Sequence, residues 1–218
     1  NIFVQMAKKQ LYGIVDIDGI YGPTELVLVA DESASPRLCA AELLAQAEHD
    51  ALATAILITT SVELAHKVNQ ELKKQMANLP RRDTIAQALE GWGGIVTVAD
   101  LKEAIDLVNE YAPEHLLLVV KKAEAWLDRI HNAGCVSLAS PVAWTDYMAG
   151  PSHILPTTGS ARFASPLGVE TFLKATNVVA WDKETLARLG PAAIALAQAE
   201  GLTAHAISLK MWLEEEAT

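Results

Sequence analysis

The sequence predicts an α/β fold: a Rossmann-like, mainly parallel sheet with flanking helices, followed by a small helical C-terminal tail. Three observations predict it. Short continuous apolar runs recur, as at 26–30 and 116–120, and suit strands buried on both faces of a parallel sheet. Helical stretches alternate with these runs, the rhythm of right-handed βαβ crossovers. Near Pro166 that rhythm stops and alanine-rich helical sequence takes over. The expected organisation is therefore an α/β domain over 1–166, incomplete at its start, and a helical tail over 167–218.

The elements follow in order. Residues 1–12 read as an amphipathic helix, with Ile2, Phe3, Met6 and Ala7 set against Lys8, Lys9 and Gln10, and Gly13 stops it. A short strand is expected at 14–17. Asp18-Gly19 and Gly22-Pro23 are turn signals. After the strand 26–30, Asp31-Glu32-Ser33 opens a loop, and Pro36 suits the first turn of a helix running to His49. The next strand is 55–59. Ser61 caps a helix that reaches Ala77, with Pro80 beyond it, and a second helix covers 82–90. Gly91, Gly93 and Gly94 are expected to break the chain before a strand at 95–98. Asp100, with Glu103 three places on, forms a capping box for a helix that ends near Ala112 and is closed by Pro113. A strand at 116–120, a helix at 124–131 and a strand at 135–139 complete the domain.

From Asp146 to Arg162 the density of Gly150, Pro151 and Pro156 excludes a regular helix, so an ordered loop carrying Asp146 and His153 is expected. In the tail, 169–174 reads as helical and 178–181 as extended. Helices are then expected at 183–189, 192–199 and 204–215.

With 51% hydrophobic and 20% charged residues, the chain belongs to the globular class, and its 218 residues suffice for one well-packed domain with a small appendage. A net charge of −10 argues against non-specific nucleic-acid binding but leaves room for an anionic cofactor at a local positive site. No apolar run is long enough to predict a transmembrane helix. Cys39 and Cys135 are too few for a disulfide framework and read as small buried residues, so a reducing compartment, the cytoplasm, is expected. The chain opens at Asn1 with neither methionine nor a signal-like leader, which predicts a fragment of a longer protein. Neither a G-x-G-x-x-G fingerprint nor a P-loop occurs.

Polar clusters carry the candidate chemistry. Gln46 and His49, three apart at a helix end, share one face, where an amide oxygen and an imidazole reach a common ion. Taken alone, that pattern is equally a helix C-terminus where the dipole favours histidine. Pro113-Glu114-His115 sets a carboxylate and an imidazole just ahead of a buried strand. Proton transfer near neutral pH and a capped turn with solvated side chains are both open readings. Asp146 with His153, and Glu200 with His205, are further pairs, against surface turns and a surface histidine as the bland alternatives. His66 and His131 sit on polar helix faces and read as solvated. Glutamine, histidine and aspartate without cysteine make an N/O donor set of the exchangeable, catalytic kind for zinc, which spacing alone does not establish.

Several of these stretches occur in one order: Gly22-Pro23-Thr24-Glu25, Gln46-Ala47-Glu48-His49, Ala112-Pro113-Glu114-His115-Leu116, Asp146-Tyr147, Ala149-Gly150-Pro151-Ser152-His153-Ile154-Leu155-Pro156-Thr157 and Leu202-Thr203-Ala204-His205. Together they closely resemble the C-terminal half of histidinol dehydrogenase, over essentially the whole chain. The resemblance implies oxidation of L-histidinol through histidinaldehyde to L-histidine in histidine biosynthesis, with two NAD⁺ reduced and Zn²⁺ required. It implies that Gln46, His49, Asp146 and His205 bind zinc, and that His205 reaches the partner subunit's site in a homodimer. Glu114 and His115 match the catalytic pair, His115 as base toward the substrate hydroxyl and Glu114 as activator of water. Substrate contacts are implied for Thr24, Gln46, His49, His115, Asp146, His153, Glu200 and His205, and a contact to NAD for Asn1.

Thr24 stands where serine is usual in the family, Val142 where glutamate is common, and Trp144-Thr145 replace a Leu/Ala-Gly pair ahead of Asp146. These departures keep open a relative acting on another small hydroxylated metabolite. The missing upstream half keeps open a metal-binding or dimerisation fragment that is inactive by itself.

Overall fold

The computed structural model describes residues 2–216. Asn1, the expected cofactor contact, lies outside them. The chain divides into two compact units, Asn1–Phe172 and Leu173–Thr218.

The first unit is built on a five-stranded, wholly parallel sheet of order β3-β2-β1-β4-β5. Its strands are β1 (Glu25–Ala30), β2 (Thr54–Thr59), β3 (Gly93–Thr97), β4 (His115–Val119) and β5 (Cys135–Leu138). The helices are α1 (Ile2–Leu11), α2 (Pro36–Ala47), α3 (Val62–Met76), α4 (Arg82–Trp92), α5 (Leu101–Tyr111) and the short α6 (Val142–Tyr147). The chain winds outward from β1 through β2 to β3, then α5 returns it to the far side of β1, where β4 and β5 are laid down.

Two apolar layers form because successive side chains of a strand point to opposite faces. Leu26, Leu28 and Leu57 pack with Cys39, Leu43, Leu64, Val68 and Ile85 of α2, α3 and α4. Val27, Val29, Leu116 and Leu118 pack with Ala104, Ile105 and Val108 of α5. Every residue of β1 is buried, as a central parallel strand requires.

Helix starts follow the local chemistry. Ser61 Oγ accepts the Leu64 N–H at 3.1 Å, and Asp100 Oδ1 accepts the Glu103 N–H at 2.8 Å. Glu103 reaches back to the Ala99 N–H at 2.8 Å, closing the box one residue earlier than the expected partner. α5 ends on Ala112 in the left-handed region, φ 58°, a conformation that costs a non-glycine residue about 1 kcal/mol. Pro113 then bars further helix and delivers Glu114 to the head of β4.

Several expectations are corrected. Residues 14–17 form no strand, only a single bridge between Tyr12 and Val15. The glycines do not break the chain: Gly91 lies inside α4, and Gly93 and Gly94 open β3. Gly93 is needed there because a Cβ would lie 2.6 Å from the Leu89 carbonyl oxygen. The 124–131 helix is a 3₁₀ segment, Ala123–Arg129, and 169–174 is likewise 3₁₀ at Val169–Phe172. Asp146 stands in the last turn of α6, ahead of the loop, because Gly150 and Pro151 act only beyond Tyr147.

The second unit is a helical hairpin of α7 (Lys183–Ala199) and α8 (Thr203–Glu216). Residues 178–181 take no regular structure. Helix α7 runs through Pro191, where two shorter helices were expected. The missing proline N–H forgoes one hydrogen bond to the preceding turn. Gly190 lets the helices approach closely, since a Cβ there would sit 2.8 Å from Leu213 Cδ1. Gly201, at φ +75°, ends α7. Among the described residues, no helix is long and apolar enough to cross a membrane.

Candidate active site

Parallel strands share one amino edge, and helices that follow them return to it. That geometry gathers the candidates. Thr24 and Glu25 stand at the head of β1, Glu114 and His115 at the head of β4, and Cys135 at the head of β5, paired with His115. α2 brings Gln46 and His49 back toward this edge, and α6 brings Asp146. The opposite, carboxyl edge is the usual ligand crevice of such sheets where the winding reverses. Here Asp31 joins the ends of β1 and β4 by accepting the Lys121 N–H at 2.8 Å.

A chain of hydrogen bonds crosses the amino edge. Gln46 Nε2 donates to Thr24 Oγ1 at 2.5 Å, and Thr24 Oγ1 donates to Glu114 Oε2 at 2.6 Å. The Glu25 N–H donates to the same carboxylate oxygen at 2.9 Å. Glu114 Oε1 accepts nothing from the described residues and is free for water or substrate. The Gln46 amide is oriented by its nitrogen, which leaves its oxygen unengaged. Glu114 and Gln46 are buried, at 7% and 4% exposure. Burial, opposed by the Thr24 hydroxyl and the Glu25 N–H, pushes the Glu114 carboxyl up to about 7, and the charges of Glu25 and Asp146 push the same way.

His115 is buried, and its Nδ1 has no hydrogen-bond partner. Burial holds its pKa below the usual imidazole value; Asp146 opposes that shift and His49 adds to it. The charges of Asp146 and His49 thus both act on this imidazole. Cys135, paired with His115 in the sheet, has its thiol pushed up by partial burial, with the Asp146 charge acting the same way and Thr145 and Ser137 opposing.

In the first unit hydrogen bonds join Gln46, Thr24 and Glu114, His115 follows Glu114 at the head of β4, and the charges of Asp146 and His49 act on His115. His153 is exposed on its loop and makes no hydrogen bond to the others among the described residues. Glu200, just past the end of α7, and His205, in the first turn of α8, belong to the second unit and are exposed. Among the described residues no three His, Cys, Asp or Glu side chains gather as a metal cluster. The first unit contributes two such groups, His49 and Asp146, plus the Gln46 amide oxygen. These are N and O donors of the kind zinc accepts.

Glu25 was not singled out in the sequence. It is 5% exposed, accepts the Thr158 N–H at 3.1 Å and the Glu114 N–H at 3.3 Å, and its carboxyl is raised by burial. Its signals in the sequence were its place at the head of an apolar run and in the Gly22-Pro23-Thr24-Glu25 stretch. Of the positions that depart from the family pattern, Val142 is buried in the core, Thr145 is buried and Trp144 is exposed.

The sequence profile of histidinol dehydrogenase matches residues 1–213. The chain is 50% identical over 216 residues to a histidinol dehydrogenase of Dehalococcoides mccartyi, covering 98% of this chain and 50% of that protein. It is 53% identical over 213 residues to one from Caldanaerobacter subterraneus subsp. tengcongensis, covering 97% and 50%. A crystal structure of histidinol dehydrogenase from Elizabethkingia anophelis superposes with a TM-score of 0.95 at 35% identity, over 100% of this chain and 51% of that one. The chain spans about half the length of the curated relatives it matches. Its parallel α/β sheet and the buried Glu-His pair at the head of β4 come with a profile match over nearly every residue, and on that match the chain belongs to the histidinol dehydrogenase family.

Proposed function

We propose that this chain is the catalytic part of a zinc-requiring, NAD-linked dehydrogenase of histidine biosynthesis, converting L-histidinol through histidinaldehyde to L-histidine. The observation that carries the reading is the buried Glu114–His115 pair: a carboxyl near pH 7 with one free oxygen, beside an imidazole held neutral. Overall, the primary alcohol and one water yield the carboxylic acid, two hydrides passing to two NAD⁺ and two protons being released.

His115, neutral near pH 7, accepts the hydroxyl proton as the alcohol is oxidised. Glu114 takes a proton from water through its free Oε1, so that the oxygen adds to the aldehyde carbon. Its anchored Oε2 keeps the carboxyl in one orientation while this happens. A carboxyl poised near the working pH is the efficient choice for that task. Gln46 through its oxygen, His49 and Asp146 would hold Zn²⁺, with the partner subunit's His205 as the remaining ligand. Bound there, the ion would supply Lewis-acid polarisation and a fixed anchor for the substrate. Thr24, His153 and Glu200 are assigned to substrate contacts and Asn1 to NAD. The exposed Ile207, Met211 and Trp212 of the α7–α8 hairpin support a homodimer. The 218-residue chain alone is expected to be inactive, and the protein to act in the cytoplasm.

The test is an NADH assay on the product of the complete open reading frame, with L-histidinol and then with other amino alcohols. Two NADH per L-histidinol supports the reading. Turnover of a different alcohol with none of L-histidinol refutes the substrate.

A further inference from the structure

We propose that Glu25 is a positioning residue, whose side chain holds the main chain of Glu114 in place and ties the loop after His153 to the strand that carries His115. The proposal rests on reading Glu114 as the group that activates water.

Glu25 and Glu114 are joined crosswise. The Glu25 N–H donates to Glu114 Oε2 at 2.9 Å, and the Glu114 N–H donates to Glu25 Oε2 at 3.3 Å. The remaining oxygen, Glu25 Oε1, accepts the Thr158 N–H at 3.1 Å. One side chain thereby holds the heads of β1 and β4 and the loop that follows His153. Its main-chain N–H is available because the sheet pairing of β1 with β4 begins only at Leu26 and His115.

A buried carboxylate costs free energy unless something needs it. No lysine or arginine pairs with Glu25 or Glu114 among the described residues. What a glutamate offers here, and a glutamine does not, is two accepting oxygens for two main-chain N–H donors. A glutamine would turn its NH₂ toward one of them, and two donors would face each other. The loop or the Glu114 backbone would then be released. An apolar residue would release both.

The experiment compares Glu25→Gln and Glu25→Asp with wild type in the complete protein. For Glu25→Gln, kcat with L-histidinol is expected to fall about tenfold to a hundredfold, with KM within about threefold and zinc content unchanged. The second NADH of a single turnover, which needs water, is expected to slow more than the first. Glu25→Asp keeps both acceptors and recovers part of the loss. Wild-type kcat in Glu25→Gln, or equal slowing of both NADH steps, overturns the proposal. Hydrogen–deuterium exchange reads the same link without catalysis: peptides holding Glu114 and Thr158 should exchange at least about tenfold faster in Glu25→Gln, and unchanged exchange there also overturns it. If wild type does not oxidise L-histidinol, the function is wrong and the exchange measurement alone decides Glu25. If Glu25→Gln does not fold, Glu25→Asp carries both measurements.

Discussion

Thr24 donates its hydroxyl hydrogen to Glu114 across 2.6 Å, although 90 positions of sequence separate them. The same oxygen accepts from Gln46, so a single hydroxyl fixes both an expected metal ligand and an expected base. Thr24→Val removes a donor from Glu114 and leaves the Gln46 amine unpaired. It is expected to destabilise the protein by about 1–3 kcal/mol. The hydroxyl holds the Glu114 pKa down, so the acid limb of the kcat profile should move to higher pH. Thr24→Ser keeps the hydroxyl and should behave as wild type. Chemical denaturation and a pH–rate profile check both points.

Glu114 makes stability depend on pH in a defined direction. Its native pKa is about 7 against an ordinary 4.5. Between those values the folded protein retains a proton that the unfolded chain has released. Stability therefore falls as pH rises through the window, and is level with respect to this group above it. Glu114→Gln can place its amide oxygen where Oε2 lies and turn its NH₂ to the free side. The variant should escape that loss and exceed wild type at pH 8 by on the order of 3 kcal/mol, with little difference at pH 4. The depressed His115 pKa acts in the opposite sense but is common to both proteins. Urea melts at several pH values measure the difference, and parallel curves would refute it.

His115→Asn should separate proton transfer from metal binding. In the complete protein, turnover is expected to drop about 10²- to 10⁴-fold while zinc stays at about one per subunit. Zinc measured by atomic absorption alongside kcat decides this. Loss of the metal would make His115 a ligand and not a base.

Much of the fold could be read in advance because its signals are local. A strand buried on both faces must be continuously apolar, so 26–30 announced β1, and Ser61 and Asp100 announced α3 and α5 by the bonds their side chains make. Elements set by contact with distant chain were not legible. Pro191 read as a break because the α8 helix that packs against α7 is invisible from the local sequence. Gly93 read as a breaker, yet its reason is the Leu89 carbonyl. In the site, the motif order pointed to Glu114 and His115, whereas Glu25, inside the Gly22-Pro23-Thr24-Glu25 stretch, drew no role. Its role exists only because a residue 89 positions later folds beside it.

His49 tests the metal assignment from the other side. It lies just beyond the end of α2 and is exposed, so its removal should leave the core intact. His49→Ala is expected to purify without zinc, to lose the visible spectrum of the cobalt-substituted protein, and to melt within about 1 kcal/mol of the metal-free wild type. Full zinc content in the variant would refute its role as a ligand.

Gly134 links packing to the site. Its N–H donates to Pro113 O at 2.9 Å, and the next residue, Cys135, donates to Glu114 O at 2.8 Å. A Cβ on Gly134 would lie 2.6 Å from the Glu114 carbonyl oxygen, 3.1 Å from Pro156 Cδ and 3.3 Å from Leu155 Cβ. The first of these is backbone, so relief requires the heads of β4 and β5 to part. Gly134→Ala should cost about 1–3 kcal/mol of stability. It should also lower kcat, because the strand that moves carries Glu114 and His115. Gly94→Ala is the control: its Cβ would meet nothing within 4 Å, and it should be neutral or slightly stabilising. Equal melting temperatures for the two variants would show that the close approach at Gly134 does not set the geometry of Glu114 and His115.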